Sequence, residues 1–277
     1  MAQFNVYTYQ FAPDFKQLSL FEENNMTPEQ AMTQKNKIFA DIVNSLETIS
    51  YRNKQHKLFF VLKNNDFFIF RINNSRKITI EKGFQKRTDV DEPSCYVIIH
   101  NGNNVQRIAI ESDINAFQDT DTITHIIEKA VKNRLEQFGL KISIKKEYYK
   151  KEFWDIVRAN PHQISKVTFV FDYPNLPRVR ELIGDALKST SKNTRSTKTT
   201  LSLEAEKEDS LYLDEQDKEI ENLVKGSSNS GSQISLKIKG FKKTKYIGET
   251  TKSVELSELE INGDPQKVKE IIEALNE

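Results

Sequence analysis

Between Lys57 and Glu111 the chain repeats one kind of segment, and that repetition restricts the fold more than any other feature. Leu58–Leu62, Phe67–Ile72, Lys77–Ile80, Cys95–His100 and Val105–Ile110 are dominated by β-branched and aromatic residues, which suit a pleated, half-buried strand. Polar clusters of the residue types that turns use divide them, at Lys63–Asp66, Asn73–Arg76 and Asn101–Asn104. The pattern predicts an antiparallel β meander with helices from before and after it covering one face.

The flanking segments supply those helices. Phe4–Phe11 alternates and reads as a strand ended by Pro13. Thr27-Pro28-Glu29-Gln30 then offers an N-cap, a proline at the first helical position and a glutamine three residues after the cap. Ala31, Ile38, Phe39, Ile42, Val43 and Leu46 follow at helical spacing. Beyond the meander, Asp119 caps a second helix whose apolar face runs from Ile123 to Phe138, and Gly139 stops it. Leu140–Ile144 reads as a strand and Glu152–Arg158 as a short helix.

From Lys166 onward the rhythm changes to Val167–Asp172 (strand), Pro177–Leu187 (helix), Thr199–Ala205 (strand), Asp214–Lys225 (helix), Gln233–Lys239 and Ser253–Ile261 (strands) and Pro265–Leu275 (helix). The expectation is therefore α+β: residues 1–160 built on the 57–111 meander, then a smaller βαβ-rich unit, 161–277, with a split sheet of ferredoxin-like kind. Two connectors, 189–200 (Ser/Thr/Lys-rich) and 226–232 (Gly/Ser/Asn-rich), read as exposed and flexible.

Composition narrows the function. The charges nearly cancel, at +1, so any attraction for nucleic acid must come from local patches. Cys95 is the only cysteine, which excludes an intrachain disulfide and a cysteine-based zinc site and suits a reducing cytoplasm. Set in an apolar strand without a basic neighbour, it reads as a structural thiol. No apolar run is long enough for a bilayer, and the N-terminus lacks the layout of a signal peptide, so the expected location is cytoplasmic.

One short motif stands out between the first strand and the first helix: Gln17-Leu18-Ser19-Leu20-Phe21. It resembles the pentapeptide by which many bacterial polymerases and repair proteins dock on the β sliding clamp, and no position departs from that pattern. The resemblance spans five residues and implies peptide-in-groove recognition: Leu20 and Phe21 fill an apolar pocket, Leu18 adds a smaller contact and Gln17 supplies polar specificity. Leu18, Leu20 and Phe21 also alternate as a short buried edge strand would, and that reading stays open beside the first.

Basic residues interleave with aromatics twice. Lys145, Lys146, Tyr149 and Lys150 form the first set, with Tyr148, Phe153 and Trp154 nearby; Lys239, Phe241, Lys242, Lys243, Lys245 and Tyr246 form the second. Lysines neutralise phosphates and aromatics stack on unpaired bases, so either stretch suits RNA or single-stranded DNA. Lys188, Lys192, Arg195 and Lys198 add to the basic character, whereas 204–221 is acidic. The alternative is a solvated strand edge whose lysines oppose aggregation.

Catalytic signals are sparse. His56, His100, His125 and His162 are scattered with no ligand spacing, no glycine-rich phosphate loop or nucleophile elbow occurs, and no metal or cofactor is implied. A dispersed nuclease site has its best fragment at Asp172, where a carboxylate leaves an apolar strand; the same aspartate equally opens the Tyr173-Pro174-Asn175 turn. The block Asn160-Pro161, Lys166–Phe171 and Tyr173-Pro174-Asn175 is faintly similar to uncharacterised proteins of bacterial phage-defence islands. Together these features point to a bacterial binding protein of the replication machinery or of nucleic acid, in antiphage defence. The alternatives are a nuclease or toxin-like effector with an acidic site assembled only in three dimensions, and a structural partner of another subunit.

Overall fold

The computed structural model describes residues 1–14, 26–103, 105–172, 194, 196 and 198–275. The chain is α+β, and its organising strand is β1 (Ala2–Pro13). One edge of β1 pairs with β8 (Gln106–Glu111). Its other edge takes two strands in tandem, β14 (Ser253–Leu256) along its first residues and β9 (Leu140–Lys146) along the rest. Beyond β8 the sheet continues through β7 (Ser94–Asn101), β4 (Phe67–Asn73), β3 (Lys54–Lys63) and β2 (Thr48–Tyr51), eight strands among the described residues.

Alternation along each strand divides the side chains between two faces. Tyr7, Tyr9, Phe11, Phe68, Phe70, Ile72, Val97, Ile99, Ile108 and Ile110 pack on one side, against α1 (Pro28–Asn44) and α2 (Thr120–Glu136). Phe4, Phe67, Ile69, Tyr96, Ile98 and Ala109 pack on the other, against α5 (Glu258–Gly263) and α6 (Pro265–Ala274). Both faces are therefore covered rather than the one expected, which is why Phe67–Phe70 reads as an unbroken apolar run. The capping box at Thr27 and Gln30 starts α1, and Asp119 accepts from the Thr122 amide to start α2.

Charged groups fasten the last helix to the sheet. Arg107 on β8 donates from Nη1 to the Ile272 carbonyl at 2.8 Å, and Lys252 donates to the Leu275 carbonyl. His100 Nε2 lies 2.7 Å from the Glu273 carboxylate. Cations placed at the C-terminal end of α6 complement its dipole.

The Lys77–Ile80 segment leaves the sheet. With a strand absent from the sequence reading it forms a separate ribbon, β5 (Arg76–Lys82) against β6 (Gln85–Asp91), while β4 pairs directly with β7 below it. Neither strand of the ribbon has a continuous apolar side, and no residue in either is buried.

A second sheet runs β11 (Lys198–Glu204), β10 (Ile164–Asp172), β12 (Ile234–Ile238), β13 (Lys245–Tyr246). Val167, Phe169, Phe171, Ile234 and Leu236 form its core with Phe153 and Trp154 of α3 (Lys151–Ala159) and Val224 of α4 (Lys218–Asn229). β11 and β12, joined through α4, are both antiparallel to β10 and flank it, so they make one split β–α–β unit. The second such unit of a ferredoxin-like fold does not form among the described strands. β14, expected there, pairs with β1, and Ser257 ends it by capping α5 where the sequence reading continued the strand to Ile261. Residues 253–274 thus pack on the large sheet rather than on the C-terminal unit, and Phe153 and Trp154 cross residue 160 the other way.

The Gly/Ser-rich stretch 226–232, expected as a flexible connector, instead completes α4 and buries Ser227, Ser228, Ser230 and Ser232. Small residues serve close approach here. At Gly231, φ +60, a Cβ would stand 2.6 Å from the Lys146 carbonyl. The expected helix 177–187, most of the connector 189–200, and Lys188, Lys192 and Arg195 lie outside the described residues.

Candidate nucleic-acid interface

The second basic–aromatic set forms one surface, the hairpin from β12 to β13. Gly240 takes φ +80 at its bend, a left-handed conformation that glycine reaches without a steric cost. The Phe241 amide closes the turn on the Ile238 carbonyl at 3.2 Å. Phe241 is 62% exposed and Tyr246 51% exposed, large apolar rings standing in water. Lys242 and Lys243 are exposed beside them, and no carboxylate occurs between Lys237 and Tyr246. Lys239 is half-buried and donates to the Glu208 carbonyl at 2.6 Å, while Lys245 is paired with Glu249 at 3.1 Å.

Register extends this surface across the sheet. Tyr246 stands opposite Ser235, Ser235 opposite Thr168, and Thr168 opposite Ser202. Directly opposed residues share a face. The next row carries Lys237, Lys166 and Glu204, with Lys166 Nζ 2.8 Å from Glu204. The apolar set Val167, Phe169 and Phe171 points the other way, into the core.

The first set is divided between surface and core: Lys146, Tyr149 and Lys150 are exposed, each with a partner within the chain. Tyr148, Phe153 and Trp154 are core residues. Lys146 is paired with Asp121 at 2.6 Å, and Lys150 is paired with Glu221. The Tyr149 hydroxyl is held by Ser253 at 3.2 Å. Lys145 is half-buried, and burial, followed by the nearby Lys198, holds its ammonium below the usual lysine range. The pleat and the turn into α3 send these residues in different directions.

No catalytic constellation appears among the described residues. His56 and His100 are buried with ring nitrogens on the carbonyls of Asn73 and Val105, at 2.8 and 2.9 Å. His162 is exposed, at φ 57 in a turn. His125 lines a cleft of about 570 Å³ beside α2 with Asp14, Glu128, Lys129, Lys132, Glu136 and Lys141. Its charges are largely compensated internally, Lys141 on Asp14 at 2.9 Å and Lys132 on Glu136 at 3.7 Å. Cys95 is fully buried, and burial pushes its thiol far up. Asp172 ends β10 opposite Lys198. No group of three or more His, Cys, Asp or Glu among the described residues is placed to hold a metal ion, and no helix among them is long and apolar enough to cross a membrane.

Gln17, Leu18, Leu20 and Phe21 lie outside the described residues. Three exposed aromatics escaped the sequence reading: Phe59, Tyr212 and, at 99% exposed, Phe84 at the tip of the β5–β6 ribbon. The signal for Phe84 was Gly83 shortly after the strand-like Lys77–Ile80. Comparison with protein-family models, curated proteins and solved structures finds no match to this chain.

Proposed function

We propose that this chain is a cytoplasmic bacterial nucleic-acid-binding protein that acts by recognition, with the β12–β13 hairpin contacting unpaired bases. The observation that carries this reading is Phe241 and Tyr246, both more than half exposed, on a segment with five lysines and no carboxylate. A strand edge that only had to stay soluble would need the lysines and not the rings. Stacking on a base is worth about 1–3 kcal/mol, and each phosphate neutralised adds a salt-sensitive increment. The Ser/Thr row beside Tyr246 offers hydroxyls for base edges or phosphates. Photo-cross-linking to an iodouridine oligonucleotide, with the adducts mapped by mass spectrometry, tests the placement. Adducts on Phe241 or Tyr246 support it; adducts confined to other segments contradict it.

A second reading adds a protein partner. The Gln17–Phe21 pentapeptide, between β1 and the Thr27 cap, is the kind of segment a β sliding clamp receives, and would bring the protein to replication forks. Binding to a bacterial clamp that Leu20→Ala/Phe21→Ala abolishes, with the fold intact, is its expected result. A role in defence against phage rests on the resemblance of the Asn160–Asn175 block and adds no mechanism.

A further inference from the structure

The β5–β6 ribbon belongs to neither core, and its tip is unusual in three independent ways. Gly83 and Phe84 form its two-residue turn with φ 59 and 64, between the paired residues Lys82 and Gln85. Turns of this handedness favour Asn-Gly, and a bulky residue at positive φ is strained. Phe84 is also 99% exposed, so no packing offsets that strain. Finally, Lys82–Arg87 holds three cations and no carboxylate. Lys86 and Arg87 have only loose partners further down the ribbon, Glu81 at 3.8 Å and Asp89 at 3.7 Å.

Strain kept at an exposed tip indicates that the side chain itself is wanted there. The cations around it select a polyanion rather than an apolar protein groove. A two-stranded ribbon is an element that a groove of B-form DNA admits, whereas the deep, narrow major groove of duplex RNA does not. Apolar side chains presented this way act as wedges that unstack a base step and kink the duplex.

We propose that the β5–β6 ribbon is an arm for duplex DNA, in which Lys82, Lys86 and Arg87 engage phosphates and Phe84 wedges between neighbouring base pairs. This contact is separate from the hairpin at Lys237–Tyr246 and reads a different form of nucleic acid.

The test uses the full chain with a short duplex carrying donor and acceptor dyes at its ends, and an unlabelled single strand as competitor. Asparagine tolerates positive φ, so Phe84→Asn removes the wedge while leaving the turn able to form. Wild type binds the duplex and raises end-to-end energy transfer. Phe84→Asn still binds but loses the rise, and Lys82→Ala/Lys86→Ala/Arg87→Ala weakens duplex binding by about tenfold or more at low salt. Unchanged bending by Phe84→Asn, or unchanged affinity in the triple variant, overturns the proposal. So does light scattering that shows a dimer dissociated by Phe84→Asn with no response to duplex, which would make the tip a self-association contact. Binding to single strands without binding to duplex removes the arm and leaves the hairpin reading standing. Failure to bind either form removes both.

Discussion

Arg107 and Glu147 form a two-pronged ion pair in the interior, Nε to Oε1 at 2.6 Å and Nη2 to Oε2 at 3.0 Å, with side chains 2% and 1% exposed. The pair joins β8 to the end of β9, and its third guanidinium contact reaches α6. Removing one member strands the other charge, so Arg107→Met is expected to cost about 3–5 kcal/mol, towards the lower end because Lys252 remains 3.8 Å from Glu147. Replacing both, Arg107→Met with Glu147→Leu, is expected to recover much of that. Urea unfolding measures each, and a double variant no more stable than the single would show the pair is not coupled.

Those two residues also mark where sequence reasoning stops. Five of the six strands between Leu58 and Ile110 and the helices capped at Thr27 and Asp119 were legible, because caps and apolar periodicity are local signals. Arg107 sits inside an apolar strand, forty residues from Glu147, and nothing local announces that they meet. The return of Ser253–Leu256 to β1 was hidden for the same reason: pairing partners 250 residues apart leave no mark in either segment. Composition marked the Lys239–Tyr246 stretch for its lysines and rings, and the turn at Gly240 folds it into a hairpin with Phe241, Lys242, Lys243 and Tyr246 exposed. At Lys145–Trp154 a strand ending in a helix divides the same composition, with Lys146, Tyr149 and Lys150 at the surface and Tyr148, Phe153 and Trp154 in the core.

Acid should weaken the caps that start α5 and α2. Hydrogen bonds from Ser257 and the ion pair with Lys267 lower the Glu260 carboxyl from 4.5 to about 2, and the Thr122 amide and hydroxyl lower Asp119. Both carboxylates have folded-state values below their unfolded ones. Their stabilisation is therefore complete above the unfolded value and is lost as pH falls through the folded one. For Glu260 that window runs from 4.5 down to about 2. Glu260→Gln should unfold more easily than wild type at neutral pH, with the gap closing in acid. A gap independent of pH would contradict the cap's role.

Cys95 is expected to be inert in the folded protein. It is completely buried on β7, and its thiol is pushed well above the usual range by burial first and by Glu111 and Asp113 second. A thiol reagent should label it only as fast as the sheet opens, and at once in urea. Rapid labelling under native conditions would show that β7 opens locally.

The ribbon turn should be easy to stabilise. Placing a bulky L-residue at φ 64 costs about 1–2 kcal/mol, so Phe84→Gly is expected to raise hydrogen-exchange protection across Arg76–Asp91 about five- to thirtyfold. Protection unchanged or lowered would mean that the Phe84 ring itself supports the ribbon.

The most direct measurement is equilibrium binding of the full chain to a fluorescent single-stranded oligonucleotide over a range of salt, wild type against Lys242→Ala/Lys243→Ala. The expected wild-type affinity falls linearly with salt on logarithmic axes. The variant keeps its thermal stability, binds more weakly, and shows a slope shallower by about 1.4, as two lost phosphate contacts on a single strand require. Wild-type binding that is absent at low salt, or a variant with the same slope and affinity, would contradict a nucleic-acid contact at this hairpin.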